Sequence, residues 1–168
     1  MKHKKLIFTI IVIAIGLIYI ILSSNQKLYT KRENINNEYS NILIEIENKL
    51  ENVNKIIGYS DNTKEVKGID KEIKKIANTH NLKDKLELND TLDSKVNALI
   101  IQNADKKELK DNYNYKKLLE RLNEQNDKIH KIKTKYNDKV KEYNKIIDKF
   151  PNNLIAKIFN YKKETKLI

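Results

Sequence analysis

Apolar residues recur at helical spacing after residue 22. Their intervals of seven, four and three are typical of a helix with a narrow apolar stripe. The stripe consists of Leu28, Ile35, Ile42, Ile46, Leu50, Val53 and Ile57. No Pro or Gly interrupts it before Gly58, where the sequence GYSDNT favours a turn. The pattern therefore predicts a long helix over about residues 23–57.

The last long element keeps a seven-residue repeat of apolar and aromatic side chains. One helical position is held by Tyr115, Leu122, Ile129, Tyr136, Tyr143 and Phe150. A second row, three to four residues further on, contains Leu118, Leu119, Ile132, Val140, Ile146 and Ile147. Such a repeat is typical of a helix that packs against others at a shallow angle. We therefore predict a helix over 115–150 whose aromatic row faces the core and which Pro151 ends.

Asn137 and Asn144 each follow a tyrosine of this row, and two interpretations of them stay open. A buried Asn can hydrogen-bond a facing helix and fix its register. The alternative is a solvated side chain in a chain that is rich in Asn.

The middle of the chain predicts two shorter helices separated by a loop. A helix over about 63–77 is indicated by Val66, Ile69, Ile73 and Ile76. The following THNLKDKLELND is interpreted as a loop or a loosely held segment. A short third helix then carries Leu92, Val96 and Leu99. Its cap is expected to be Asn89, Asp90 or Thr91.

These elements together predict an all-α fold. An antiparallel bundle of three to four helices over 23–150 would pair the two long helices, 23–57 and 115–150. Residues 151–168 are predicted to form a short amphipathic helix and a tail. The expected apolar side of that helix consists of Leu154, Ile155, Ile158 and Phe159.

The N-terminal segment predicts a membrane anchor. A basic leader, MKHKK (1–5), precedes the apolar run from Leu6 to Leu22. These 17 residues would span about 26 Å as a helix, near the lower limit for a hydrocarbon core. A cleaved signal peptide is the competing interpretation, but no small-residue cleavage pattern follows the run. We expect a single-pass helix in a bacterial plasma membrane, and we expect this helix to continue directly into the bundle helix over 23–57. The basic residues on its two sides nearly balance and lean only slightly towards a cytoplasmic N-terminus.

Composition adds little to this picture. The net charge of +11 arises in a chain that is also inflated in Asn and Ile, and acidic residues interrupt the lysines. The best-placed aromatic residues belong to the predicted core, so we expect no nucleic-acid binding. The chain has no Cys, which removes thiolate chemistry and Cys-based zinc sites.

The sequence offers no candidate catalytic, cofactor-binding or metal-binding residue. The pair closest to a metal motif is Asp127 and His130, and no second copy of that pair exists. No glycine-rich phosphate loop or nucleophile motif occurs. We therefore expect that the protein is not an enzyme and has no cofactor.

The C-terminal third carries a specific set of residues at fixed spacing: Tyr136-Asn137, Val140, Tyr143-Asn144, Ile147, Phe150-Pro151, Asn153, Ile155-Ala156 and Phe159. This set resembles the motif of the LemA family. Tyr29, Tyr39 and Ser40 also fall where the family has an aromatic residue and then Trp-Ser. Asn54 departs from the family, which has proline there, and residues 58–89 share little with it.

The resemblance implies a single-pass bacterial membrane protein with an antiparallel helical bundle and no established molecular activity. Family descriptions put the short N-terminus outside the cell, against the weak lean of the charges. We expect a membrane-anchored scaffold or adaptor that contacts the bilayer through Leu6–Leu22 and binds a protein partner of unknown identity.

Two alternatives stay open. One is a basic bundle that binds anionic lipid through residues 116–135 and the C-terminal helix. The other is an unrelated coiled-coil component of a cell-envelope machine.

Overall fold

The computed structural model describes residues 2–61 and 63–167, and over this part of the chain α-helix is the only regular secondary structure. Six helices occur there, and they confirm the predicted all-α class. They are α1 (Lys2–Ile57), α2 (Lys64–Asn78), α3 (Leu82–Asn103), α4 (Lys107–Lys110), α5 (Tyr113–Ile147) and α6 (Asn152–Ile158).

The chain divides into two compact units, and α1 and α5 contribute residues to both. Unit 1 comprises Met1–Asn37 and Lys135–Lys166. Unit 2 comprises Glu38–Thr134 and Leu167–Ile168.

In unit 1, α1 and α5 run antiparallel. The Lys31 ammonium lies 2.8 Å from the Glu142 carboxylate, and the Lys139 ammonium donates to the Asn34 carbonyl at 3.4 Å. Residue numbers therefore rise on one helix as they fall on the other. The buried apolar residues of unit 1 are Leu28, Ile35, Tyr136, Val140, Tyr143, Ile147, Ile155 and Ala156.

In unit 2, the same two helices again run antiparallel and α2 packs on α3. The Asn52 amide donates to the Leu118 carbonyl at 3.0 Å, and the Lys128 ammonium lies 2.7 Å from the Glu45 carboxylate. The α1 stripe is buried as predicted, except that the last core position is Ile56 and Ile57 is half-buried. From α5, Tyr115, Leu122 and Ile129 join this core.

The first part of α1 is apolar on all sides and is not covered by protein. Every large apolar side chain from Leu6 to Leu22 is exposed. Within the described residues, α1 is the one helix whose length and composition would allow it to cross a membrane. The helix then continues without a break into the packed region.

The aromatic row of α5 faces the core as predicted over five positions, but Phe150 does not. Tyr115, Leu122, Ile129, Tyr136 and Tyr143 are all buried, whereas Phe150 is 79 % exposed. The reason is that α5 ends at Ile147, before the predicted end at residue 150. Phe150 lies in the turn that follows, where the seven-residue spacing no longer sets the direction of a side chain.

The predicted loop before the third helix is wrong, because α3 begins at Leu82. Asn81 caps it, and its side chain accepts hydrogen bonds from the backbone N–H groups of Lys83 and Asp84. In the first half of α3, the buried positions carry Lys85 and Asn89 beside Leu82 and Leu86. These two polar residues interrupt the apolar repeat, so the sequence pattern does not reveal this part of the helix.

Gly68 lies inside α2, and replacing it with alanine should stabilise the protein. A Cβ at this position would meet no atom within 4 Å, and its backbone is helical. Gly68→Ala should raise the free energy of unfolding by about 0.5–1 kcal/mol, because glycine loses more backbone entropy in a helix. We expect a rise in Tm of roughly 2–4 °C, measured by circular dichroism.

Gly58→Ala is the matched control for this change. Its Cβ would lie 3.3 Å from the Lys55 carbonyl oxygen, at the end of α1. We expect no gain in Tm from this second variant. A loss of stability in Gly68→Ala would contradict the assignment of residue 68 to an open helix face.

Candidate functional site

The Tyr-Asn repeat of α5 holds the C-terminal tail, which we define as Tyr161–Lys166. The hydroxyl of Tyr136 donates to the Thr165 carbonyl at 3.1 Å, while the ring is buried in the core. A tyrosine suits this position because its apolar ring packs inside while its hydroxyl reaches a polar partner at the edge.

Asn144 binds the backbone of the tail in both directions. Its side-chain NH₂ donates to the Glu164 carbonyl at 2.8 Å, and its oxygen accepts from the Glu164 N–H at 3.0 Å. A primary amide offers a donor and an acceptor side by side, so it can pair with one backbone residue as a strand would. Neither sequence interpretation of Asn144 anticipated this, because its partner is neither a facing helix nor solvent. Asn137 is half-buried.

The end of α6 directs the tail back towards α1. Asn160 adopts a left-handed conformation with φ 55°, and the Tyr161 N–H bonds the Ala156 carbonyl at 2.8 Å. This arrangement is a Schellman-type C-cap, for which Asn is one of the few suitable non-glycine residues. The Tyr161 hydroxyl then donates to the Asn25 side-chain oxygen at 3.0 Å.

We call Asn25, Arg32, Tyr136 and Asn144 the C-terminal clamp. Arg32 completes it, since its guanidinium lies 3.2 Å from the Glu164 carboxylate. Two of these residues lie on α1 and two on α5, so the tail ties the two helices of unit 1 together.

Tyr143 is the buried ring between the two clamp residues of α5, and its role differs from theirs. It is fully buried, and its hydroxyl has no hydrogen-bond partner among the described residues. Burial raises the pKa of this hydroxyl above its ordinary value. The side chain therefore contributes through its ring rather than through its oxygen.

Unit 2 contains a buried ion pair that the sequence did not reveal. The Lys49 ammonium is fully buried, and it donates to the Asn89 side-chain oxygen at 2.8 Å and contacts the Asp93 carboxylate. Burial lowers the pKa of Lys49 and raises the pKa of Asp93, and the attraction between the two groups only partly opposes these shifts. Both shifts show that desolvation outweighs the pairing.

A second acid, Glu72, joins α2 to α3. Its buried side chain contacts the ammonium groups of Lys95 and Lys75, the latter at 3.4 Å. The hydrogen bond from Lys95 holds the pKa of Glu72 below its ordinary value, although burial opposes this. This ion pair crosses between helices and therefore fixes their relative register.

A polar cleft of about 320 Å³ opens between α1 and α5 of unit 2. Acids, bases and amides line it: Glu45, Asn48, Glu51, Asn52, Lys55, Arg121, Glu124, Gln125 and Lys128. Asn52 and Gln125 are buried, and their side-chain oxygens have no hydrogen-bond partner among the described residues. The lining brings no hydroxyl or imidazole next to a base, so it provides no activated nucleophile.

No group of three or more His, Cys, Asp or Glu residues suited to a metal ion occurs within residues 2–61 and 63–167. Asp127 and His130, the pair considered from the sequence, are both exposed on α5. The absence of catalytic and cofactor roles stays a prediction.

The fold and the clamp define an all-α protein with an exposed apolar N-terminal helix segment and a C-terminal tail held by a Tyr-Asn repeat. The profile of the LemA family matches residues 31–167, which is most of the chain, and the chain belongs to this family. The LemA family is membrane-associated. A search of curated proteins found no match to the chain.

We expect Asn144→Ala to release the tail. Each lost hydrogen bond is worth about 1 kcal/mol, so the Glu164 amide should exchange with deuterium roughly tenfold faster or more. Hydrogen exchange resolved by mass spectrometry measures this change. Tyr143→Phe is the matched control, because its hydroxyl has no partner to lose, and it should leave tail exchange unchanged. Equal tail protection in Asn144→Ala and in the unsubstituted chain would contradict the clamp.

We expect the stabilising effect of Glu72 to depend on pH. Because the folded pKa lies below the ordinary 4.5, its contribution is complete above that value and is lost as the pH falls through the folded pKa. Glu72→Gln should lower the free energy of unfolding by about 1 kcal/mol near neutral pH. That difference should close in acid, as measured by urea denaturation.

Glu51→Gln provides the control for the Glu72 experiment. Glu51 pairs with Lys55 at 2.5 Å, but both side chains are exposed. Exposed pairs contribute little, so this variant should change stability hardly at all. A pH-independent loss in Glu72→Gln would show that packing, rather than charge, gives Glu72 its effect.

Proposed function

We propose that the protein is a membrane-anchored helical scaffold, or adaptor, without catalytic activity. In this proposal α1 crosses a bacterial plasma membrane once through Leu6–Leu22, and the helical units on one side of it bind another protein. The N-terminus is proposed to lie in the cytoplasm. Membership of the LemA family also removes the alternative of an unrelated coiled-coil component.

The observation that carries this proposal is the exposed apolar surface of α1. A helix that is apolar on all sides is found in a protein core or in a membrane, and protein does not cover this one. Its length of about 26 Å approaches the thickness of a hydrocarbon core. The same helix is packed from Leu28 onwards, so the anchor and the bundle share one continuous element.

The partner surface that the structure supports best is the polar cleft in unit 2. It combines acids, bases and two buried amides with unpartnered oxygens, which suits a polar protein segment better than an apolar one. Arg121 and Glu124 are exposed at this cleft. They are therefore available to charges on another molecule.

The anchor is tested by extracting membranes from cells that make the full chain and from cells that make residues 25–168. The full chain should resist alkaline carbonate, and the shortened chain should be released. Protease protection of a C-terminal tag in intact and lysed cells then gives the side of the membrane. Release of the full chain by carbonate would contradict a spanning helix.

The scaffold role is tested with a photo-crosslinking amino acid at Arg121. The control position is Lys67, which is exposed on α2 and lies outside the cleft. A protein partner that binds the cleft should give one discrete adduct at position 121 and none at position 67. If neither position gives a discrete adduct, the chain does not bind a partner through this cleft.

A further inference from the structure

Exposed apolar side chains cluster around α6. Beyond the apolar segment of α1, eight large hydrophobic side chains of the described residues are exposed, and four of them lie between residues 150 and 159. These four are Phe150 (79 %), Leu154 (48 %), Ile158 (68 %) and Phe159 (46 %). Single exposed apolar residues are ordinary, whereas a cluster of this kind marks a contact surface. We call these four residues the α6 surface.

The helix α6 is apolar on two different faces. Ile155 and Ala156 are buried and hold the helix onto unit 1. Leu154 and Ile158 are four residues apart, so they share a face, and at about 100° per residue that face points roughly 130° away from the buried one. The prediction that all the apolar residues of this helix lie on one side is therefore wrong. One apolar face packs on unit 1, and the other apolar face is exposed.

The α6 surface lies at the level where the apolar segment of α1 ends. Residue 31 pairs with residue 142 and residue 34 with residue 139, so continuing this register puts Ile147 level with Gln26. The helix α5 ends there, four residues beyond Leu22 on α1, and the turn that carries Phe150 follows directly. The bond from Tyr161 to Asn25 fixes the other end of α6 at the same height. Asn25 is three residues, or about 5 Å, past Leu22.

This height corresponds to the headgroup layer of a bilayer. Headgroups add roughly 5–8 Å on each side of the hydrocarbon core. Short helices with apolar residues and lysines lie in this layer, with apolar side chains inserted and ammonium groups at the headgroups. Lys149 and Lys157 are exposed beside the α6 surface and fit that arrangement.

We propose that the α6 surface inserts into the headgroup layer of the same bilayer that α1 crosses, so that the chain has a second membrane contact. The inference rests on the proposed anchor. A lipid surface, rather than a protein, is the occupant that the geometry favours, because the α6 surface continues the exposed apolar segment of α1 at the same height. The C-terminal clamp binds the tail that follows α6, and it thereby fixes the position of α6 on unit 1.

The absence of Cys from the chain allows a direct test with single cysteines. A nitroxide is attached to Ile158→Cys, Ile101→Cys or Ile13→Cys in the full chain, reconstituted into nanodiscs of phosphatidylcholine and phosphatidylglycerol. Ile101 is the matched control, because it is an equally exposed isoleucine (74 %) on α3 in unit 2. Ile13 lies in the apolar segment of α1 and reports on the anchor.

The readout is the ratio of collision rates with oxygen, which enters lipid, and with a nickel chelate, which stays in water. We expect this ratio to be several-fold higher at residue 158 than at residue 101, and highest at residue 13. Equal ratios at residues 158 and 101, with a high ratio at residue 13, would overturn the α6 contact and leave the anchor intact. A low ratio at residue 13 would instead overturn the anchor and the inference with it. Protection of residue 158 from both reagents would show that protein covers α6, and it too would overturn the proposal.

A second measurement tests whether the native apolar side chains, rather than the attached nitroxide itself, bring residue 158 into the lipid. Leu154→Ser and Phe159→Ser, added to the Ile158→Cys chain, should lower the ratio at residue 158 several-fold, towards that of residue 101. Both side chains are partly exposed and Ile155 remains in place, so the helical content should not change. Ile44→Ser, an exposed position of unit 2, should leave the ratio as it was. An unchanged ratio in the double serine variant would contradict insertion of these side chains.

Discussion

The antiparallel packing of α1 on α5 is the interaction on which the rest of the structure depends. The two helices supply most of the buried apolar side chains of unit 1 and part of the core of unit 2. In each unit, the contact between the two helices, which we call the seam, combines aliphatic residues of α1 with a row of tyrosine, leucine and isoleucine from α5. Tyrosines at three of the five buried positions give large apolar contact area, and the hydroxyl of Tyr136 reaches the backbone of the tail. The seam therefore determines where the C-terminal tail can bind.

The sequence predicts the elements whose burial follows a simple period, and it fails where polar residues occupy core positions. The stripe of α1 and the row of α5 were recognised because nearly every heptad position is apolar. In the first half of α3, Lys85 and Asn89 occupy buried positions, so the sequence pattern there does not indicate a helix. The partner of Asn144 could not be predicted, because Glu164 is an unpatterned residue in an extended tail. Phe150 was misassigned since a period says nothing about where a helix stops.

The buried ion pair of Lys49 and Asp93 constrains the arrangement of α1 and α3. Burial lowers the pKa of Lys49 and raises the pKa of Asp93, and the attraction between the two groups opposes both shifts. Removing one partner would still leave a buried group unpaired. Lys49 therefore favours the one arrangement of α1 and α3 in which Asn89 and Asp93 meet its ammonium. Glu72 gives the same kind of constraint between α2 and α3.

The Tyr-Asn repeat lies near the C-terminal end of α5 because it binds the C-terminal tail. A repeat that served only the core could occur anywhere along α5, yet the clamp residues Tyr136 and Asn144 lie within about the last three turns of α5. Only there can they reach a tail that leaves α6 beside Asn25, through Tyr161, and then runs along unit 1 towards Tyr136. Since α6 precedes that tail, fixing the tail also fixes the height of α6 relative to the end of the apolar segment. The same tyrosine spacing that builds the core thus brings a second apolar surface close to the first.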